Sequence, residues 1–329
     1  MQKNYLKVFS GTGHPELAQE ICDHLDIELG KVSFKRFSNE NIKVKIEENV
    51  RGDDVFVIQT SCPPVNDNLV ELLIMIDALK YASAGRITAV LPYYPYVRSD
   101  KKDEPRISIT ARLVADLLET AGADRILTMT LHSPQIVGFS RIPVDQLLAT
   151  AIISDYFQRK DLTDFVVVSP DVGRAKGAEI YARRLDLPMV IVDKRRYGDD
   201  EKVKALYVIG EVEGKNLMIF DDEILTGGSM LESVRALRER GAERIFAGCT
   251  HGVFSGDAIA RIEDSSIEEL VVTNTIPQRH NSSKITVLSV AHLFTEAIKA
   301  IHRGDSVSKL FDHSKTPSRQ LNLSFAGER

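Results

Sequence analysis

The sequence predicts an α/β protein built from two tandem, related domains, each a parallel sheet flanked by helices. Short apolar segments alternate with amphipathic helical patterns along the chain. The apolar segments are near-continuous runs of Val, Ile and Leu rather than alternating ones, as expected of strands covered on both faces. A strand–loop–helix–strand unit also occurs twice, which points to duplication of one fold.

In chain order, the strand candidates are 6–9, 55–59, 87–91, 126–129, 165–168, 189–192, 217–220, 245–248, 270–272 and 285–288. Helical patterns lie between most of them, for example 68–82, 109–121 and 230–239. The first repeat runs through 55–59, helix 68–82 and Gly85-Arg86-Ile87. The second runs through 217–221, helix 230–239 and Gly241–Ile245. The reading is an N-terminal domain over 1–148, a C-terminal domain over 149–311 and a loosely ordered polar tail over 312–329.

Composition narrows the function. Of 329 residues, 43% are hydrophobic and 27% charged, a globular balance. The formal net charge of −5 argues against a nucleic-acid or membrane-surface binder. The three cysteines, Cys22, Cys62 and Cys249, are too far apart for a metal-type pair, and an odd number makes no disulfide framework. Reduced thiols in a cytoplasmic protein are expected. The opening MQKNYLKVFS lacks a long apolar run, so no secretory signal is expected, and no run approaches the ~18 apolar residues of a membrane span.

The two repeats differ at the loop. The first carries Gln59-Thr60-Ser61-Cys62. The second carries Asp221-Asp222-Glu223-Ile224-Leu225-Thr226-Gly227-Gly228-Ser229 after a run of apolar residues. Glycines let backbone N–H groups turn onto a phosphate, and the Thr226 and Ser229 hydroxyls add donors. The helix that follows contributes its N-terminal dipole. The two carboxylates can bind ribose hydroxyls, directly or through Mg²⁺. The phosphosugar chemistry is therefore expected in the second copy. A surface turn with a capping serine would present some of the same residues, but not the paired carboxylates.

This loop resembles the phosphoribosyl pyrophosphate (PRPP) loop of phosphoribosyltransferases and PRPP synthetases. Neighbouring segments resemble the synthetases, the ribose-phosphate diphosphokinases: Phe9-Ser10-Gly11-Thr12, Pro63–Asn68, Ile142-Pro143-Val144-Asp145, Ser169-Pro170-Asp171-Val172-Gly173, Asp193-Lys194-Arg195-Arg196, Thr250-His251-Gly252 and Ser306-Val307-Ser308. The resemblance is collinear from about residue 8 to 311 and implies two tandem phosphoribosyltransferase-type domains. It implies transfer of the diphosphoryl group of ATP to ribose 5-phosphate, giving PRPP and AMP, with Mg²⁺ as cofactor. Lys194 and Arg196 match the catalytic loop, and His132 and Asp171 match metal-holding positions. Phe37, Asn39, Arg98 and Asp103 match nucleotide-binding positions, where stacking and cation–π contact would hold the base. Asp221, Asp222, Thr226, Gly227, Gly228 and Ser229 match the sugar-phosphate loop. Arg51, Ser306 and Ser308 match a regulatory phosphate site. The family also implies a homo-oligomer, dimer-based up to a hexamer, with Phe37 and Asn39 supplied to a neighbouring subunit.

The chain departs from the family at several points. Thr130 stands where the metal signature has Asp, and Val137 and Ser140 replace Gln and Phe. Leu225 stands for a third Asp, Asn41 and Ser99 alter the nucleotide site, and Arg174 replaces the second Gly after Asp171. These changes keep two alternatives open beside the active enzyme. One is an impaired homologue that assembles with and regulates an active paralogue. The other is a diphosphokinase with a changed donor or sugar.

Overall fold

A computed structural model describes residues 5–195 and 205–311, and divides the chain into two compact units. The first contains the described part of Met1–Leu148, with Thr275–Pro277 and Val290–Phe311; the second contains Ala149–Asn274 and Gln278–Ser289.

The first unit begins with β1 (Leu6–Ser10), α1 (Pro15–Leu25), β2 (Val32–Arg36) and β3 (Ile42–Ile46). It continues with β4 (Asp54–Ile58), α2 (Val65–Tyr81), β5 (Arg86–Leu91), α3 (Thr110–Ala121), β6 (Arg125–Met129) and β7 (Val144–Leu147). Its main sheet has the order β1-β4-β5-β6-β7 and is parallel throughout. The β4 segment Asp-Val-Phe-Val-Ile is buried along its whole length, as a central strand covered on both faces must be. The sequence reading missed the antiparallel hairpin β2–β3 and strand β7. In the hairpin, exposed serine and lysine residues separate the half-buried apolar ones, so no apolar run marks it.

The second unit contains α4 (Thr150–Phe157), β8 (Phe165–Ser169), α5 (Ala175–Leu185), β9 (Met189–Arg195), β10 (Ala205–Ile209) and β11 (Asn216–Ile224). It closes with α6 (Gly228–Glu239), β12 (Ile245–Gly252), α7 (Ala258–Glu263), β13 (Ile267–Thr273) and β14 (Ile285–Leu288). The sheet order is β10-β9-β8-β11-β12-β13-β14, and only the β10–β9 pair is antiparallel. Val168, Leu217, Ile219, Ala247 and Leu270 lie in its core. Strand β10 was not expected from the sequence. Strand β11 also runs past the predicted end at residue 220, because pairing with β12 continues through Asp221↔Cys249 and Glu223↔His251.

The last helix corrects the expected 149–311 domain. Helix α8 (Ala291–Arg303) belongs to the first unit and packs against α1. Its apolar face, including Phe294, Ala297, Ile298 and Ile301, is buried. A polar clasp adds to this. Fully buried Asp54 accepts from Arg86 Nε at 2.8 Å and Nη2 at 2.6 Å, and lies 2.8 Å from His302 Nδ1. Arg86 Nη2 also donates to the Ile301 carbonyl at 2.8 Å. The tail expected over 312–329 lies outside the described residues. Among the described residues no helix is long and apolar enough to cross a membrane, and all three cysteines are buried thiols.

Gln59, at the start of the first repeat's loop, and Glu71 of α2 pack against the β1–α1 loop. Gln59 Oε1 accepts from the Gly13 N–H at 2.8 Å, and its Nε2 donates to Glu71 at 2.8 Å. Glu71 accepts from the Thr12 N–H at 2.6 Å. A Cβ at Gly11 or Gly13 would stand 2.5 Å from the Gln59 amide, so both positions need glycine for close approach.

Candidate active site

In the second unit, β11 carries Asp221 and Asp222 at its C-terminal end, and Thr226–Gly227 lead into α6. Gly227 adopts φ +71° at the N-cap of α6, a left-handed conformation that glycine takes without penalty. The loop is anchored from outside. The N–H groups of Val253 and Phe254 donate to the Ile224 carbonyl, that of Ser255 donates to the Leu225 carbonyl, and Arg261 Nη1 donates to the Thr226 carbonyl at 3.1 Å. Arg261 escaped the sequence reading because nothing in its own segment signals a partner 35 residues away. Thr226 and Ser229 are exposed, and Gly227 and Gly228 half-buried.

The carboxylates are tied to Asp171 through one arginine. Asp171 caps the short 3₁₀ turn Val172–Arg174, its Oδ1 accepting the Arg174 N–H at 2.9 Å. Arg174 Nη1 then pairs with Asp222 Oδ1 at 2.6 Å, and its Nη2 lies 3.7 Å from Asp221 Oδ1. Asp221 Oδ1 also accepts the Asp222 N–H at 2.9 Å. Burial, followed by the hydrogen bond and charge of Asp222, holds the Asp221 carboxyl well above its ordinary pKa, against the pull of Arg174. Burial works to lower the Arg174 pKa, but the charges of Asp222 and Asp221 outweigh it and hold it above the ordinary value. The Cys249 thiol is pushed up by burial and by the same carboxylates.

Lys194 lies in β9, with its backbone opposite Leu206 of β10. Arg196 lies outside the described residues.

The first unit holds the other predicted positions. Phe37 and Asn39 form the β2–β3 turn, closed by Phe37 N–H to the Asn41 carbonyl at 2.9 Å and Glu40 N–H to the Phe37 carbonyl at 2.9 Å. Phe37 is 43% exposed, so it is a presented aromatic and not a core one. Arg98 and Asp103 are exposed. Ser99, one of the departures, ties the base of the 100–109 segment: its carbonyl accepts the Ala111 N–H at 3.1 Å and its Oγ lies 3.3 Å from Thr110 Oγ1. The hairpin and the Arg98 loop are both tethered to the first turn of α2, through Arg36–Asp67 at 2.5 Å and Tyr96–Asn66.

His132 follows β6 and is half-buried. Two residues before it, Thr130 sits at φ +39° while its N–H donates to the Leu147 carbonyl at 2.8 Å. A β-branched residue in this region is strained, and Asp tolerates it better. Ser306 and Ser308 bring their hydroxyls within 2.6 Å of each other, while Arg51 is exposed in the turn before β4.

Among the described residues no group of three or more His, Cys, Asp or Glu side chains is placed to hold a metal by itself. The half-buried carboxylate of Asp171 is nonetheless a hard oxygen donor. It fits Mg²⁺, which takes one or two carboxylates and completes its shell with substrate phosphates and water.

A parallel sheet whose central strand ends in carboxylates and feeds a glycine-started helix is the construction of an anion-binding α/β protein. Comparison with known proteins makes the assignment specific. Residues 6–122 match the model of the N-terminal domain of ribose phosphate pyrophosphokinase, and residues 197–312 match the phosphoribosyl synthetase-associated domain. A curated ribose-phosphate pyrophosphokinase of Deinococcus radiodurans is 50% identical over 317 residues, covering 94% of this chain and 99% of the relative. One of Bacillus caldolyticus is 50% identical over 312 residues, with 94% and 99% covered. The crystal structure of phosphoribosylpyrophosphate synthetase from Mycobacterium smegmatis superposes with a TM-score of 0.86 at 43% identity, covering 92% of this chain and 100% of that one. The chain belongs to the ribose-phosphate pyrophosphokinase (PRPP synthetase) family.

Proposed function

We propose that this chain transfers the diphosphoryl group of Mg·ATP to ribose 5-phosphate, forming PRPP and releasing AMP. The observation that carries the reading is the loop after β11: paired carboxylates, a left-handed Gly227 and the start of α6, in a chain about half identical to named ribose-phosphate pyrophosphokinases over nearly its full length. The names of these relatives lend no support to a regulatory homologue or an altered donor.

The anomeric hydroxyl of ribose 5-phosphate attacks the β-phosphorus, the bond from that phosphorus to the α–β bridging oxygen breaks, and AMP leaves. Thr226, Ser229 and the N–H groups at Gly227 and Gly228 receive the sugar phosphate, where the α6 dipole favours an anion. Asp221 and Asp222 accept the ring hydroxyls and orient the nucleophile. Lys194 and Arg196 stabilise negative charge on the transferring group, which is the main demand of phosphoryl transfer. Phe37, Asn39, Arg98 and Asp103 hold the nucleotide. Mg²⁺, assigned to His132 and Asp171 by the resemblance, neutralises phosphate charge when bound. Phe37 and Asn39, presented on an exposed hairpin tip, suit supply to a second copy in a homo-oligomer. The buried thiols suit a reducing, cytoplasmic setting.

The test is AMP release by the purified chain with Mg²⁺, ATP and ribose 5-phosphate, beside Lys194→Ala. AMP formation that requires the sugar and falls by at least about 10²-fold in the variant is expected for loss of one transition-state stabiliser. No AMP from the wild type would refute the reading.

A further inference from the structure

The family resemblance puts glycine at the position of Arg174, yet here a guanidinium fills the space beside the two sugar-loop carboxylates. Its Nη1 sits 2.6 Å from Asp222 Oδ1 and its Nη2 3.7 Å from Asp221 Oδ1. Three further observations make this a placed group and not a passing surface contact. The Arg174 N–H is fixed at 2.9 Å by Asp171, so the base of the side chain is held by the turn. Gly173 leaves room for that carboxylate, since a Cβ there would stand 3.1 Å from Asp171 Oδ1. The arginine is the residue immediately before α5, the positive end of a helix, where a cation is disfavoured unless carboxylates offset it. Asp222, 7% exposed at its side chain, and Asp221, 17% exposed, supply the offset.

Ionised carboxylates only accept hydrogen bonds, so a sugar's hydroxyls and a guanidinium compete for the same oxygens. We propose that Arg174 is a built-in competitor for the sugar: it holds Asp221 and Asp222 in the unliganded chain and must withdraw before vicinal hydroxyls can bind them. The residue thereby sets the affinity for ribose 5-phosphate and keeps the acidic pair neutralised between turnovers. This inference rests on the reading of the β11 loop as the sugar site.

The test is calorimetric binding of ribose 5-phosphate, with Mg²⁺ at pH 8, to the full chain and to Arg174→Gln, Arg174→Lys and Asp222→Asn. An exposed ion pair contributes little and a broken buried one much, and this pair lies between. Arg174→Gln is therefore expected to bind about five- to thirtyfold more tightly. Arg174→Lys keeps the charge and stays within about threefold of the wild type. Asp222→Asn loses binding. In turnover, Arg174→Gln lowers the KM for ribose 5-phosphate without raising kcat, a split that a merely structural role would not give. Arg174→Ala stands in if the glutamine variant does not fold. Equal or weaker binding by the neutral variants, with the wild type binding, overturns the competitor and leaves the sugar site intact. Absence of binding in the wild type and all Arg174 variants overturns both. Binding only after Arg174 is neutralised supports both.

Discussion

Replacing Arg174 by Gln should raise the pH below which ribose 5-phosphate binding fails. Asp221 already sits above the ordinary carboxylate range, chiefly because it is buried and then because Asp222 adjoins it. Among the described residues, the groups facing it are Asp222 on the same strand, Arg174 ahead of α5, Cys249 on β12 and Tyr181 on α5; the Asp222 backbone N–H and Arg174 favour its ionised form, and of the two only Arg174 carries a charge. At the 3.7 Å separation, the attraction is about 1 kcal/mol in bulk water and about 4.5 kcal/mol at an effective dielectric of about 20. Arg174 is 29% exposed, which favours the lower part of that range, so its removal should raise the Asp221 pKa further by taking away the charge that favours the ionised form. A protonated Asp221 gives up acceptor capacity, so binding weakens as pH falls through this value. The tighter binding of the variant should therefore be largest at high pH and shrink toward acid. Stability carries the opposite sign. A carboxyl whose folded pKa is raised contributes stability below its unfolded pKa and loses it as pH rises through the folded one. Calorimetric titration at half-unit pH steps, with thermal melts alongside, measures both. A binding midpoint that stays put or moves to lower pH in Arg174→Gln would refute the electrostatic reasoning.

Four further outcomes follow from particular residues. Thr130→Asp should stabilise the chain by about 1 kcal/mol, because Asp accepts the left-handed backbone at φ +39° that Thr resists; chemical denaturation checks this, and unchanged stability would count against strain at this position. The same variant should lower the Mg²⁺ concentration for half-maximal AMP release by about tenfold, as expected when a lost carboxylate partner near a metal is restored. Arg86→Ala should cost about 3 kcal/mol in urea unfolding, since it leaves the fully buried Asp54 without its bidentate partner. Gly13→Ala should destabilise by about 2 kcal/mol, because the new Cβ meets the Gln59 amide at 2.5 Å; pairing it with Gln59→Ala should recover part of the loss, and a strictly additive double variant would show that the two positions do not share the space.

Most of the parallel strands were legible because their runs of Val, Ile and Leu stand out, whereas β7 was not, because Asp145 and Gln146 interrupt its apolar residues; the β11 loop was legible because paired carboxylates and glycines together carry a chemical meaning. The β2–β3 hairpin was not legible: four of its ten strand residues are charged, and it is held by tertiary contacts such as Arg36 with Asp67. The return of α8 to the first unit was equally hidden, because an amphipathic helix records that it packs but not against what, and Asp54, Arg86 and His302 are distant in sequence. At the site, the sequence marked Arg174 only as a departure. Its contact with Asp221 and Asp222 depends on where the end of β8 and the end of β11 meet in the sheet, which no local pattern encodes.

The two repeats solve one problem in opposite ways. A strand that ends in a sharp loop before a helix leaves backbone N–H groups turned inward, and these need acceptors. In the first copy Gln59 stands where the second carries Asp221, and together with Glu71 of α2 it satisfies the Gly13 and Thr12 N–H groups of the neighbouring β1–α1 loop at 2.8 and 2.6 Å. In the second copy the glycines at 227 and 228 have no such side chain folded over them, and the polar residues sit on the strand instead, as a pair of acids. Acids placed side by side without a ligand repel each other, so a loop left open for an anion and a sugar needs a cation nearby in the resting chain. Where the resemblance puts glycine, that cation must come from solution; here Arg174 provides it from the fold. The consequence is a trade between stability of the empty site and affinity for the sugar, and it is the reason that Arg174→Gln should gain in the second while losing in the first.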